Sequence, residues 1–378
     1  MYKEQNKNSD ESTNPRICIF SQRHLQRHVS RSAEYEFEDV VCEIDNVDLL
    51  VPQPHRLFVA GQKIANRLAR HFFVSLANPC IQKLHLNKKY DLFLAVCQEP
   101  SDLLSLDAVR EWRHNCKKSV CWLPEVWPGE LHKFQGHLKV LSKFDHVVLN
   151  CNSSVTPVQD TVKSSCHYMP PGIDTIRFSP YPKPPLRSID VYSMGRKSMV
   201  THHALLKMAE ERKIFYIYDT FENIKTLIPR DHRILVANIA KRSRYFVANA
   251  PKINRQSETH GQSGLSYRFL EGAASGTVMI GEPRENEEFA RHLNWPDAVI
   301  HVPYDAENVA EILADLDSQP QRLAEIRKNN VVQTLLRHDY VYRWRDILDI
   351  VGLEPVPALH RREERLKELA DMANKDQE

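Results

Sequence analysis

Apolar residues fall into two kinds of pattern along the chain. Short, nearly unbroken runs recur at Arg16–Phe20, Tyr90–Cys97, Lys118–Leu123 and His146–Cys151. They return at Ile189–Met194, Ile214–Tyr218, Tyr245–Ala248, Thr277–Ile280 and Ala298–Val302. Runs of this length read as strands covered on both faces. Between them the apolar residues space out at helical intervals, at about 202–212, 232–242, 306–317 and 320–336. Strands alternating with helices predict an α/β protein with parallel sheets. Leu57, Phe58, Ile64, Leu68, Phe72 and Leu76 predict a further helix over 57–76. Lys63, Arg67, Arg70 and His71 make its other side basic. That side reads as a solvated face, or as a face for an anionic membrane surface.

The pattern breaks at Tyr181-Pro-Lys-Pro-Pro-Leu-Arg-Ser188, a proline-rich extended stretch that reads as a domain boundary. The expected division is a disordered polar arm over 1–15, a first domain over 16–180 and a second over 181–340. A helical segment with a charged tail over 341–378 would pack back across the domains through Tyr340, Tyr342 and Trp344. At 378 residues the chain is too long for one compact core, which agrees.

Composition adds exclusions. Formal net charge is +2, so no whole-chain field points to nucleic acid, and none is expected as a partner. Eight cysteines lack zinc-ligand spacing and read as free thiols of a reducing cytoplasm. The apolar runs are far shorter than a bilayer span. A cytoplasmic protein is expected, with peripheral contact at the inner membrane face as the further option. No Asp-x-Asp metal signature is present, and no metal or separate cofactor is expected.

Candidate chemistry gathers at strand ends, where ligands of open α/β sheets bind. Gly195-Arg196-Lys197 is a basic turn after a strand. Gly264 opens a loop that feeds a short helix starting near Ser266, with Tyr267 and Glu271 on it and Gly276-Thr277 after it. A loop running into a helix N-terminus suits a phosphate. Glu271 suits sugar or ribose hydroxyls. In the first half, Glu125 and Glu99 lie just past strand ends, and Arg23 and His24 follow the first strand.

Three ordered segments resemble the GT-B glycosyltransferases, within them the retaining, family-four-like "group 1" enzymes of the spore-coat type. They are Pro171-Gly-Ile-Asp174 with Phe178 and Pro180, Ser193-Met-Gly-Arg196, and Tyr267 to Thr277. The resemblance covers about 144–350. It implies two Rossmann-like domains facing a central cleft. It implies a UDP- or GDP-linked sugar donor, held by Gly195, Arg196, Lys197, Gly264, Tyr267, Glu271, Gly276 and Thr277. Arg196 and Lys197 would neutralise the departing diphosphate and Glu125 would face the acceptor hydroxyl. A glycan or lipid-linked acceptor in surface polysaccharide synthesis is the implied partner. Three positions depart from the family pattern. Ser263 stands where a first glutamate is expected, with Glu258 upstream as its substitute. Thr201 stands at a lysine position, and Pro124-Glu125 replaces a histidine–aspartate pair. These departures keep open a weak relic that only binds a nucleotide or a partner, and a sugar-nucleotide epimerase. A dinucleotide enzyme lacks support, because Ser21-Gln-Arg-His24 has no glycine-rich turn.

Overall fold

The computed structural model describes residues 15–220, 224–259, 262, 264–284 and 286–376. Most of the N-terminal arm, Gly261 and Ser263 therefore lie outside the described residues.

The front lobe is built on strands β1 (Ile17–Phe20), β2 (Val47–Leu50), β3 (Tyr90–Val96), β4 (Cys116–Trp122), β5 (His146–Leu149) and β6 (Ser165–Tyr168). Their order is β2-β1-β3-β4-β5-β6, and every pairing is parallel. The rear lobe is built on β7 (Ile189–Ser193), β8 (Tyr216–Tyr218), β9 (Ser243–Val247), β10 (Val278–Gly281) and β11 (Ile300–His301). Its order is β8-β7-β9-β10-β11, again all parallel. The fold is thus α/β with two Rossmann-like parallel sheets. Strands β1 and β10 are buried throughout and carry no polar side chain, as expected where helices cover both faces.

Among the elements that escaped the periodicity are β2 and the helix α1 (Ser32–Ile44) that precedes it. Helix α1 carries Glu34, Glu36 and Glu38 on what is a fully buried segment, so its sequence does not read as apolar. Buried acids need partners. Arg23 meets Glu38 at 2.8 Å, and Arg233 meets Glu36 at 2.9 Å. Helix α4 (Pro229–Lys241) supplies Arg233 from the rear lobe. Helix α1 is therefore the joint between the lobes. Tyr340 Oη reinforces it by donating to the Ala33 carbonyl at 2.7 Å.

Helix α2 (Phe58–His71) exists where periodicity predicts it, but it is turned the other way. Its buried positions are Gly61, Ala65 and Ala69, and Leu57, Ile64 and Phe72 are exposed. The close seat explains this. A Cβ at Gly61 would lie 2.3 Å from the Asn78 side chain, so only a small face fits against the body.

The C-terminal helices α8 (Tyr340–Val351) and α9 (Pro357–Lys375) follow α6 (Val309–Asp317) and α7 (Pro320–Arg337). Both α8 and α9 pack on the front lobe. Trp344, Ile347, Leu359 and Leu366 share one core with Ile17, Phe37 and Leu92. Trp344 Nε1 donates to Asp45 at 2.9 Å. The Pro171–Asp174 turn sits beneath them. A Cβ at Gly172 would lie 2.9 Å from the Tyr340 ring, which is why a glycine stands there. Arg362 ties Asp174 and Asp339 together at 2.7 and 2.8 Å.

Candidate functional site

A cleft of about 300 Å³ opens between the lobes at the C-terminal ends of the strands. The rear wall includes Gly195, Arg196, His232, Arg233, Lys252, Gly264, Tyr267, Arg268 and Glu271. The front wall includes Ser30, Ala33, Glu125, Trp127 and Asn150.

The Gly195 turn after β7 has φ +84°, a conformation glycine adopts without steric cost. Its N–H donates to Asp219 Oδ1 at 3.1 Å, which fixes the loop. Arg196 follows, exposed to the cleft. No ion pair or hydrogen bond engages its guanidinium among the described residues. A single unpaired cation on a fixed turn is what an incoming diphosphate needs.

Helix α3 (Met199–Glu210) comes after this turn, and α5 (Tyr267–Ala274) forms the opposite rim. Ser266 caps α5 by accepting from the Arg268 N–H at 3.3 Å. The positive end of the helix thus faces the cleft through Ser266, Tyr267 and Arg268. Glu271 lies one turn in, with 1% exposure. Arg233 and Arg268 both engage its carboxylate. Although burial opposes ionisation, these two cations hold its pKa below the usual value. Two carboxylate oxygens offer about four acceptor sites, so room remains for ribose hydroxyls.

Glu125 stands opposite. It is solvent-accessible on the cleft side and enclosed elsewhere, and that enclosure pushes its carboxyl pKa up; Lys252 acts in the opposite direction. Gln98 Nε2 donates to its Oε1 at 3.1 Å. A carboxyl at a cleft wall is placed to take a proton from a bound hydroxyl.

Several expected site residues lie elsewhere. Lys197 turns away from Arg196. Its ammonium is bound by Asp219, with Oδ1 at 3.3 Å, and it covers the Tyr218 ring at 5.3 Å. Consecutive residues in an extended turn point to opposite sides, so only one of the two can face the cleft. Gly276 and Thr277 sit at the far end of α5, about 12 Å from its first turn by helix rise. Their N–H groups donate to Ala273 and Gly272 carbonyls and offer nothing to a ligand. Arg23 is held by Glu38 and Asp39, His24 contacts Gln53, and Glu99 accepts from Ser101 Oγ at 2.6 Å. None of the three lines the cleft.

Other cleft residues carried no signal in the sequence. Lys252 reaches the cleft on the segment after β9, with φ +50°. It pairs with Glu258 at 2.8 Å and with Glu130 of the front lobe at 3.3 Å, and covers Trp127 at 5.4 Å. Glu258 does bend back, but to hold this lysine. His232 is kept neutral by burial and by Arg233 and Arg268, its pKa down to about 4. Glu34 lies behind Ala33, fully buried, accepting at 3.4 Å from Tyr267 Oη across the lobes. Burial pushes its pKa up to about 8. Among the described residues no cluster of three metal-ligating side chains exists.

Residues 200–349 match the model of a family described as glycosyl transferase-like. Comparison of the sequence with curated proteins finds no match. Among solved structures, an α-glucosyltransferase in complex with UDP and a 13-mer DNA containing a HMU base superposes with a TM-score of 0.54. Identity is 12%, over 89% of this chain and 98% of that one. An α-glucosyltransferase in complex with UDP-glucose and DNA containing an abasic site gives 0.54 at 13% identity, over 89% and 99%. Both of these structures contain DNA, which corrects the expectation that nucleic acid has no place beside such a fold. Net charge was a poor guide because it averages over very uneven regions. No described helix is long and apolar enough to cross a membrane. Residues 200–349 thus match a glycosyl transferase-like family, and the chain shares the two-lobed fold of these α-glucosyltransferases over nearly its whole length.

Proposed function

We propose that the protein moves a sugar from a uridine diphosphate donor to an acceptor hydroxyl, with retention at the anomeric carbon. One observation carries this reading: Arg196, Tyr267 and Glu271 line the same cleft that Glu125 lines from the other lobe. In this reading Arg196 and the α5 N-terminus take the diphosphate, which gains charge as the glycosidic bond breaks. Glu271 takes the ribose hydroxyls. Glu125 faces the acceptor hydroxyl and receives its proton. Fixed cations do the neutralising, so no metal step is invoked.

The DNA-bound α-glucosyltransferases make a hydroxyl carried on DNA the first acceptor to try. The test incubates the protein with a panel of sugar nucleotides, with and without duplexes bearing hydroxymethylated bases. Nucleoside diphosphate release that depends on both supports the reading, and sugar attached to DNA identifies the acceptor. Release without any added acceptor, or none with any donor, overturns it.

A second reading is a nucleotide-binding protein without turnover. Its motive is the doubly engaged Glu271 carboxylate, which a ligand must share with Arg233 and Arg268. Donor binding by calorimetry with no turnover on any acceptor selects it.

A further inference from the structure

The segment 49–90 contains no aspartate or glutamate but seven lysines and arginines: Arg56, Lys63, Arg67, Arg70, Lys83, Lys88 and Lys89. The whole chain is only +2, so everything outside this segment is net acidic. The same segment holds the densest exposed apolar group among the described residues. Leu57 is 67% exposed, Ile64 63%, Phe72 65% and Leu76 51%.

Helix geometry arranges these residues into stripes. Gly61, Ala65 and Ala69 recur every four residues and face the body. Leu57, Ala60, Ile64 and His71 fall on an adjacent stripe toward solvent, and the chain end after α2 adds Phe72 and Phe73. Lys63, Arg67 and Arg70 lie beyond, on the flank. A helix that seats itself on glycine and alanine and presents isoleucine and phenylalanine outward has reversed the usual order. Exposed apolar groups of this size mark an interaction surface. An apolar stripe beside a basic flank suits lipid, where acyl chains receive the first and anionic headgroups the second.

We infer that α2 and the turn after it form a docking face for an anionic membrane surface. The face lies beside the cleft. Gln62 Nε2 donates to the Ser101 carbonyl at 2.9 Å, and Ser101 is bonded in turn to Glu99, next to the loop that holds Glu125. Docking there would bring the acceptor side of the cleft toward the bilayer. The inference stands on exposure and charge and does not depend on the donor assignment.

Vesicle co-sedimentation tests it, using phosphatidylcholine alone and phosphatidylcholine with about one third phosphatidylglycerol. The full chain should sediment with the anionic vesicles only, and less so at high salt. Ile64→Asp with Phe72→Asp, and separately Lys63→Glu with Arg67→Glu, should each lower the bound fraction roughly tenfold or more. UDP affinity should stay unchanged in both, which shows that the cleft is intact. Binding that ignores both pairs of changes, or no binding to anionic vesicles, overturns the inference. So does a dimer in light scattering that Ile64→Asp dissolves, which assigns the face to a second copy. Retention on duplex DNA, lost in Lys63→Glu with Arg67→Glu but kept in Ile64→Asp, without vesicle binding, assigns it to nucleic acid instead.

Discussion

The two walls of the cleft are built differently. The rear wall presents its groups from tight local units: a glycine turn with Arg196 attached, and a capped helix with Tyr267 and Glu271 on it. The front wall presents Glu125 from a loop whose position is set by Gln98 on the neighbouring strand end. Behind it, α1 fills the interface with acids that find their cations elsewhere, Glu36 on Arg233 of the rear lobe and Glu38 on Arg23. A site made of local units keeps its geometry when the lobes shift. A site made of cross-lobe contacts does not. The rear wall should therefore govern donor affinity, and the front wall turnover.

The sharpest break of this contrast is Glu125→Gln. It should lower kcat by roughly 10²–10⁴-fold, the usual worth of a positioned acid or base, while UDP affinity stays put. Turnover within a few-fold of the parent would remove Glu125 from the chemistry.

Glu271→Gln comes next. It leaves Arg233 buried with half its compensation, so thermal stability should fall by about 3 kcal/mol, with UDP affinity falling as well. A melting temperature that does not move would show that the Arg233–Glu271 contact is unimportant for the stability of the fold.

Arg196→Ala should weaken UDP binding by about 10- to 100-fold, since a charge-assisted contact to a diphosphate is lost. Lys197→Ala, one residue on, should change it by less than about threefold, because Asp219 already holds that ammonium. Equal losses in the two variants, measured by calorimetry, would contradict the turn geometry.

The mildest test concerns Glu34. Its folded pKa is raised to about 8, above the ordinary 4.5, so the folded chain keeps a proton that the unfolded chain releases. Its contribution to stability is therefore fully present below about pH 4.5 and lost as pH rises through about 8. Glu34→Gln should raise the melting stability at pH 8 and leave it unchanged at pH 4.5. Parallel melting curves for variant and parent across that range would mean that Glu34 is ionised in the fold.

How much was legible differs by region in the same way. Runs such as Leu92–Val96 and Val278–Gly281 announce buried strands because they hold no polar side chain. Helix α1 stayed hidden because Glu34, Glu36 and Glu38 occupy core positions, and a buried acid looks solvated until its arginine is seen. Helix α2 was visible, but its orientation was not. Periodicity finds the apolar stripe, whereas the seat beside Asn78 admits only Gly61, Ala65 and Ala69. Arg196 and Lys197 are indistinguishable as letters, and only Asp219 separates them.

The chain by itself determined two parallel-sheet lobes, the turn at Gly195 and the helix carrying Glu271. These follow from backbone preference and apolar runs, interactions that act within a few residues. Only the tertiary structure decided which cations remain unpaired, that Lys252 reaches the cleft, and which face of α2 meets water. Each of those depends on a neighbour far away in the chain, and short-range patterns hold no record of distance in space.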